Sequence, residues 1–309
     1  MKGPLVRVAV TGATGVIGSA VVPELVGAGH VVVGLARTAE KARLLRDAGA
    51  TAVPASLLDH DGLVAMFDGA DAVCNFATHV PVGLAALRPG AWRANDRLRT
   101  DGVRRVVNAA RAAGVRRVVQ ESVSFLYADQ GDDWIDEDAP LDITRATEPA
   151  CVGESHVQDY RCESRVGVVL RLGTIVGDDP LTRFELRTLR QGHPIGLGAP
   201  EGWAHVVHTD DLGPAVLAAL NAPSGVYNVG AQPVRRHDLI GGFSMAAGRE
   251  SIDFMSPLLR RLGGVRLEPL GRSLRVCSER FTDGTGWTPR RATFGPSWLE
   301  SARRREALR

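Results

Sequence analysis

The chain has 309 residues, 44% of them apolar, and a net charge of only +2, with 37 Lys and Arg against 35 Asp and Glu. That is enough apolar content for a substantial core in one large or two modest domains, while the near-neutral balance argues against a nucleic-acid partner, the basic Arg303, Arg304 and Arg305 reading as a solvated helix end. No apolar run of about eighteen residues occurs and no charged leader opens the chain, and Cys74, Cys151, Cys162 and Cys277 lack metal-ligand spacing, so the expectation is a cytoplasmic protein with reduced thiols, no membrane partner and no metal.

Residues 6–10 form a short apolar run suited to a parallel strand covered on both faces, and Gly12, Gly15 and Gly18 follow at a spacing of three. Such a turn lets backbone N–H groups approach a pyrophosphate at the positive end of the next helix. The pattern reads as a dinucleotide site with Gly12, Thr14, Gly15, Val16, Ile17 and Gly18 as contacts. A second strand at 30–36 arrives after one helix, as a βαβ unit requires, and ends in Arg37. An acidic residue there would bind the ribose hydroxyls of NAD, whereas Arg37 can pair with the 2′-phosphate of NADP. NADP(H) is therefore the expected cofactor, with NAD as the alternative.

A helix at 38–48, closed by Gly49, and a strand at 50–54 repeat the rhythm, and Leu57 and Leu58 lead into a helix at 61–67. The next strand, 70–77, ends Asn75-Phe76-Ala77-Thr78. Ligands of an open parallel sheet sit outside the carboxyl ends of its strands, which makes Leu57, Leu58, Phe76, Ala77 and Thr78 cofactor contacts and puts His79 at the pocket rim. A helix at 102–113 and a strand at 115–120 run into Glu121-Ser-Val-Ser-Phe-Leu-Tyr127. Ser122, Ser124 and Tyr127 are the catalytic candidates, since hydroxyls at a strand end are well placed for chemistry on a carbonyl; the alternative is that they only satisfy the backbone of a strand-to-loop transition.

Residues 128–147 are acidic and turn-rich, a surface loop over the pocket. A helix at 148–163 and a strand at 166–172 follow, then a helix at 182–191, a Gly/Pro-rich stretch, a strand at 204–208, a helix to 221 capped by Thr209 or Asp210, a strand at 225–229 and a helix at 236–248. Residues 251–309 are basic and broken by Pro and Gly. The fold class is α/β: a Rossmann-type doubly wound parallel sheet, with an NAD(P)-binding domain over 1–179 and a smaller substrate-binding lobe over 180–309, some of whose segments return to the main sheet.

These residues resemble the extended short-chain dehydrogenase/reductase superfamily, in its NAD-dependent epimerase/dehydratase group. The likeness rests on Thr11-Gly-Ala-Thr-Gly-Val-Ile-Gly18, Asn75-Phe-Ala-Thr78, Gly114-Val-Arg-Arg-Val-Val119, Leu170-Arg-Leu-Gly-Thr-Ile-Val-Gly177, Val207-His-Thr-Asp-Asp-Leu212, Tyr227-Asn-Val-Gly230 and Thr285-Gly-Trp-Thr-Pro289, and spans nearly the whole chain. It implies an oxidoreductase or epimerase acting on a small hydroxylated, sugar-like molecule, and a homodimer formed beside the 102 and 148 helices. It also implies a Ser or Thr four residues before Tyr127 and a Tyr-x-x-x-Lys on the next helix. Here those positions hold Val123, Ala146 and Ala150, and the only lysines are Lys2 and Lys41. Ser56 stands where the family has an acidic adenine contact, and the family's helix asparagine falls on Arg99, with Asn95 one turn earlier.

Without a positioned acid or base, a carbonyl reduction forgoes roughly 10²–10⁴-fold in rate. Glu121, His156 or Tyr160 could complete a hydroxyl network, while His208 and Asp211 read as structural. Three readings follow: an NADP(H)-dependent oxidoreductase or epimerase with its cleft near Arg183, His193 and Trp203; a non-catalytic NADP(H) sensor; and a non-redox isomerase or cyclase.

Overall fold

A computed structural model describes residues 6–255 and 266–307. The first half alternates strand and helix: β1 (Arg7–Thr11), α1 (Val16–Gly27), β2 (Val31–Leu35), α2 (Ala39–Asp47), β3 (Thr51–Val53), α3 (His60–Phe67) and β4 (Ala72–Asn75). A 3₁₀ turn (Gly83–Leu87) precedes a continuous helical run made of α4 (Arg93–Arg97), a π turn (Leu98–Gly102) and α5 (Val103–Ala112). Then come β5 (Arg117–Val123), β6 (Trp134–Ile135), α6 (Glu148–Gln158), β7 (Val166–Leu172), β8 (Thr174–Val176) and α7 (Pro180–Arg190). The remainder holds β9 (Trp203–Ala204), β10 (Val206–His208), α8 (Thr209–Ala219), β11 (Gly225–Val229), β12 (Val234–Arg235), α9 (Arg236–Ala247), β13 (Arg275–Val276), α10 (Glu279–Thr285) and α11 (Glu300–Ala307).

Seven strands pair in the order β11-β7-β5-β4-β1-β2-β3, every pair parallel. The order reverses between β1 and β4, so the crevice where doubly wound sheets take ligands opens beyond Thr11 and Asn75, which face each other in register. The strands are apolar on both faces because helices cover both. One cluster joins Val8, Val10, Cys74, Val119 and Leu170 to Val21 and Leu25 of α1 and Val216 of α8. The other joins Ala9, Val73 and Val118 to Leu63 of α3, Val106 of α5 and Val157 of α6. Each fully buried Val or Leu stabilises the fold by about 1.5–3 kcal/mol relative to exposure. Residues beyond 180 contribute both to this sheet, through edge strand β11, and to a third cluster that packs Leu186 and Leu189 of α7 with Phe243 of α9 and Trp298.

Three local expectations are corrected. The helix expected over 148–163 ends at Gln158 because Tyr160 turns inward, its hydroxyl donating to the Val115 carbonyl, with Arg111 and Arg165 against its ring. The strand expected over 204–208 is two strands: β9 pairs antiparallel with β12, β10 pairs parallel with β8, and buried His205 lies at the break. The cap of α8 is neither Thr209 nor Asp210 but His208, whose Nδ1 accepts from the Asp210 N–H at 3.1 Å. That role needs a neutral ring, and burial lowers the His208 pKa to favour one. Asp211, fully buried, accepts from the backbone N–H groups of Arg290 and Arg291, which gives it a structural task.

The acidic loop is pinned down. Asp129 accepts from the Ser273 N–H, Asp132 from Trp203 Nε1 and Arg235, Asp138 pairs with Arg280 and Asp142 with Arg272, while β6 pairs with β13. These carboxylates face arginines and backbone donors, and the loop straps the strand ends to the C-terminal segment.

Candidate active site

The glycines after β1 divide by task. Gly12 has φ +67°, and a Cβ there would collide with the Phe76 carbonyl; one at Gly18 would collide with the backbone of Gly12 and Ala13. Both are required by packing. Gly15 is exposed, and its Cβ would meet only the Gly12 carbonyl, at 3.3 Å. The space above it is open, on the side where backbone N–H groups at the start of α1 face outward, as a phosphate requires. Thr14, Gly15 and Val16 line a recess of about 630 Å³ shared with Pro180, Arg183 and Thr209. Ile17 and Gly18 are buried beneath the turn. Arg37 is exposed directly after β2, beside Thr38, whose side chain caps α2. Leu57 is half-buried and Leu58 exposed in the loop before α3, and the Ser56 hydroxyl accepts from the Leu58 N–H. The residues present fit a dinucleotide.

Across the switch point runs a polar ladder. Thr11 Oγ1 bonds Asn75 Oδ1, Asn75 Nδ2 donates to Gln120 Oε1 at 2.7 Å, and Gln120 Nε2 donates to the Glu121 carbonyl at 2.7 Å. Phe76 is buried at its end, while Ala77 and Thr78 are half-exposed.

The three expected catalytic hydroxyls do not converge on this opening. Ser122 is buried and donates to Glu154 Oε1 of α6 at 2.5 Å; that carboxylate also takes two hydrogen bonds from Arg171 of β7, at 2.9 and 2.7 Å. Ser124 is fully buried, its hydroxyl without a hydrogen-bond partner among the described residues. Tyr127 is fully buried too: its hydroxyl donates to Asn228 Oδ1 at 2.7 Å, Arg171 stacks 4.9 Å from its ring centroid, and burial pushes its pKa up to about 12. The residues of this stretch that keep exposed surface are the alternate ones, Val123 and Phe125.

The completing groups are engaged elsewhere. Glu121 forms a buried ion pair with Arg99, which the π turn carries, at 3.1 Å. Tyr160 is buried as described, and His156 sits half-buried on α6. Asn95 accepts from the His79 N–H at 3.2 Å, and His79 itself is exposed. Arg183 pairs with Asp178, Trp203 donates to Asp132 under the Arg235 guanidinium, and His193 is exposed.

Five segments tie together beyond the strand ends. Trp92 Nε1 donates to the Ala86 carbonyl, Arg266 stacks over Trp92, pairs with Asp96 at 2.6 Å and donates to the Ala146 carbonyl, and the Phe184 ring of α7 packs onto Gly83. The loop after β4, α4, the approach to α6, α7 and the 266 segment thus form one rim around the opening. Ala146 is half-buried on that rim and Ala150 buried on α6.

A parallel sheet with a glycine turn beside its switch point defines a dinucleotide-binding α/β protein. The chain belongs to the NAD dependent epimerase/dehydratase family, whose family model matches residues 8–230. It is 32% identical, over 315 residues, to a 3-diazoavenalumate denitrifying reductase of a Streptomyces species, covering 95% of this chain and 98% of the relative. A UDP-glucose 4-epimerase of Streptomyces lividans is 34% identical over 143 residues, 45% of this chain and 42% of that protein. The fold matches a UDP-glucose 4-epimerase of Thermotoga maritima with UDP-glucose, with a TM-score of 0.78 at 18% identity, covering 98% of this chain and all of the other. Among the described residues no helix is long and apolar enough to cross a membrane.

Proposed function

We propose that this chain is an NADP(H)-dependent reductase whose substrate takes up a hydride without proton transfer from a tyrosine, as a diazo compound that loses dinitrogen would. One observation carries the reading: Val123, Ala146 and Ala150 stand where the resemblance calls for Ser/Thr, Tyr and Lys, while the nearby hydroxyls of Ser122, Ser124 and Tyr127 are locked in the interior. Reducing a ketone, or epimerising a sugar through one, moves charge onto or off an oxygen and depends on a positioned acid or base. Replacing a diazonium group breaks a C–N bond and makes a C–H bond; the electron pair of the broken bond leaves with N₂, and no oxygen gains charge. The Streptomyces relative is named for a reduction of this kind and aligns along almost the whole chain.

The residues have separate tasks. The turn at Gly12, Thr14, Gly15 and Val16 would hold the pyrophosphate, with Ile17 and Gly18 packing beneath it, and Arg37 the 2′-phosphate. Leu57 and Leu58 would lie by the adenine half; Phe76, Ala77 and Thr78 would support the nicotinamide half. The cofactor supplies the hydride when bound. Trp92 and Phe184 on the rim, with partly exposed Val123 at the end of β5, would offer an apolar, aromatic mouth that suits a flat substrate and excludes water.

The test begins with calorimetric titration of NADPH and NADH into the wild type and Arg37→Asp. Nicotinamide absorbance is then followed with an arenediazonium carboxylate and, separately, with UDP-glucose. Expected are tighter binding of NADPH, lost in the variant, and cofactor oxidation above the protein-free rate with one N₂ released per cofactor. Epimerisation of UDP-glucose would overturn the reading; NADPH binding without turnover of either compound would favour the sensor.

A further inference from the structure

We propose that the C-terminal helix completes the dinucleotide site: Arg305 of α11, together with Arg183 of α7, binds the pyrophosphate of the cofactor opposite the glycine turn. The proposal rests on the reading of that turn as the pyrophosphate cradle. Arg305 lies outside residues 8–230, the segment that the family model matches.

Two helices build the placement. Gly177, at φ +145°, lies so close to Thr209 at the start of α8 that a Cβ would collide with its hydroxyl, and the next residue, Asp178, reaches the recess beside the glycine turn. Asp179 caps α7, its carboxylate accepting from the Leu181 and Thr182 N–H groups. One turn further on, Arg183 reaches back to Asp178 Oδ1 at 2.5 Å. α11 arrives from the far end of the chain. Ala302 packs in the third core cluster, and Glu306, its side chain 4% exposed, pairs with Arg187, which fixes one face of α11 on α7. Arg305, about 100° around the helix from Glu306, puts its Nε 2.8 Å from Asp178 Oδ2. Both guanidinium groups line the same recess as Thr14, Gly15 and Val16.

Two cations therefore share one carboxylate. The other acids of the recess are matched, Glu24 by Arg290 and Asp210 by Arg291, while Asp179 is buried against the first turn of α7. A positive charge is left over beside the outward-facing N–H groups of α1. Arg183 spends Nη1 and Arg305 Nε on Asp178, and their other N–H groups are bonded to no described residue. A structural ion pair needs one cation for each carboxylate; a second, turned into a cavity with its donors unspent, suits an anion. The pyrophosphate that the glycine turn would hold carries two negative charges, and a guanidinium fork matches phosphate oxygens in pairs.

The experiment is calorimetric titration of the full-length protein with NADPH and with NADH, in wild type, Arg305→Gln, Arg183→Gln and Asp178→Asn, with a melting temperature for each. The Arg305 side chain is 69% exposed, so its pairing contributes little to the fold and Arg305→Gln should melt as the wild type does. Its affinity should nevertheless fall about tenfold, and equally for both cofactors, because both carry the pyrophosphate. Arg183→Gln should lose at least as much. Asp178→Asn removes the acid that competes for both guanidinium groups, so it should tighten both cofactors. Wild-type affinity in Arg305→Gln, a loss confined to NADPH, or an Asp178→Asn protein that binds no tighter overturns the proposal. Those results leave the glycine turn as the cofactor site, whereas a wild type that binds neither NADPH nor NADH refutes that reading together with this one.

Discussion

Removing the Glu154 carboxylate should be among the most damaging single changes available in this protein. Its side chain and that of Arg171 are 3% and 5% exposed, two guanidinium hydrogen bonds and the Ser122 hydroxyl converge on it, and no other acid pairs with Arg171 among the described residues. Glu154→Leu leaves a buried cation uncompensated, a change that costs about 3–5 kcal/mol. The stack of Arg171 on Tyr127 returns at most about 2 kcal/mol and is present in both proteins, so it does not offset the loss. Against a total stability of about 5–15 kcal/mol, the variant should unfold at a much lower urea concentration with an unchanged m value. The double variant Glu154→Leu with Arg171→Met removes both charges and keeps a sulfur against the Tyr127 ring, and should recover at least half of the loss. Urea titrations followed by tryptophan fluorescence measure both. A single variant that costs less than about 1 kcal/mol, or a double variant no more stable than the single, would refute the account of this ion pair.

Tyr127→Phe separates a structural from a catalytic tyrosine: losing the bond to Asn228 should cost about 0.5–1.5 kcal/mol in urea unfolding and leave turnover within a few-fold, whereas a proton donor would lose about 10²–10⁴-fold. Gly15→Ala should keep the wild-type melting temperature but weaken NADPH binding at least about tenfold, while Gly12→Ala, with its positive φ and its clash at Phe76, should lower the melting temperature itself. His205 is buried, both ring nitrogens lack hydrogen-bond partners among the described residues, and burial brings its pKa down to about 3 from an ordinary 6.5. The unfolded chain takes up this proton first, so stability present above about pH 6.5 should be lost by roughly 1.4 kcal/mol per unit as pH falls towards about 3. Unfolding at several pH values in wild type and His205→Asn reads this directly; equal slopes would refute it.

Sheet and turn were open to sequence reading for a simple reason. Strands covered on both faces are continuous apolar runs, and 166–172 and 225–229 could be read residue for residue because nothing polar is tolerated on either side, except where a partner waits. Arg171 and Asn228 are those exceptions, and a charge inside an apolar run signals a buried acid elsewhere. The glycine spacing was legible because backbone contact at Phe76 and Ala13 excludes any Cβ. The helix end after Gln158 was not, since the Tyr160 anchor depends on a carbonyl in another turn of chain, at Val115.

The catalytic stretch marks the boundary. Strand alternation put Ser122 and Val123 on opposite sides, and that much was local, while Ser124 already lies in the 3₁₀ turn that follows β5. Which side is open was settled by Glu154, 32 residues on, arriving with α6 to take the Ser122 hydroxyl, and by Asn228, 101 residues on, taking that of Tyr127. The lack of any Tyr-x-x-x-Lys in the chain, the apolar strands and the glycine turn were determined by residue identity alone, because each is a property of types and spacings along a few residues. The inward turn of the hydroxyls and the pairing of Arg99 with Glu121 were decided only by tertiary structure, because a polar side chain's role is set by the partners that folding brings to it.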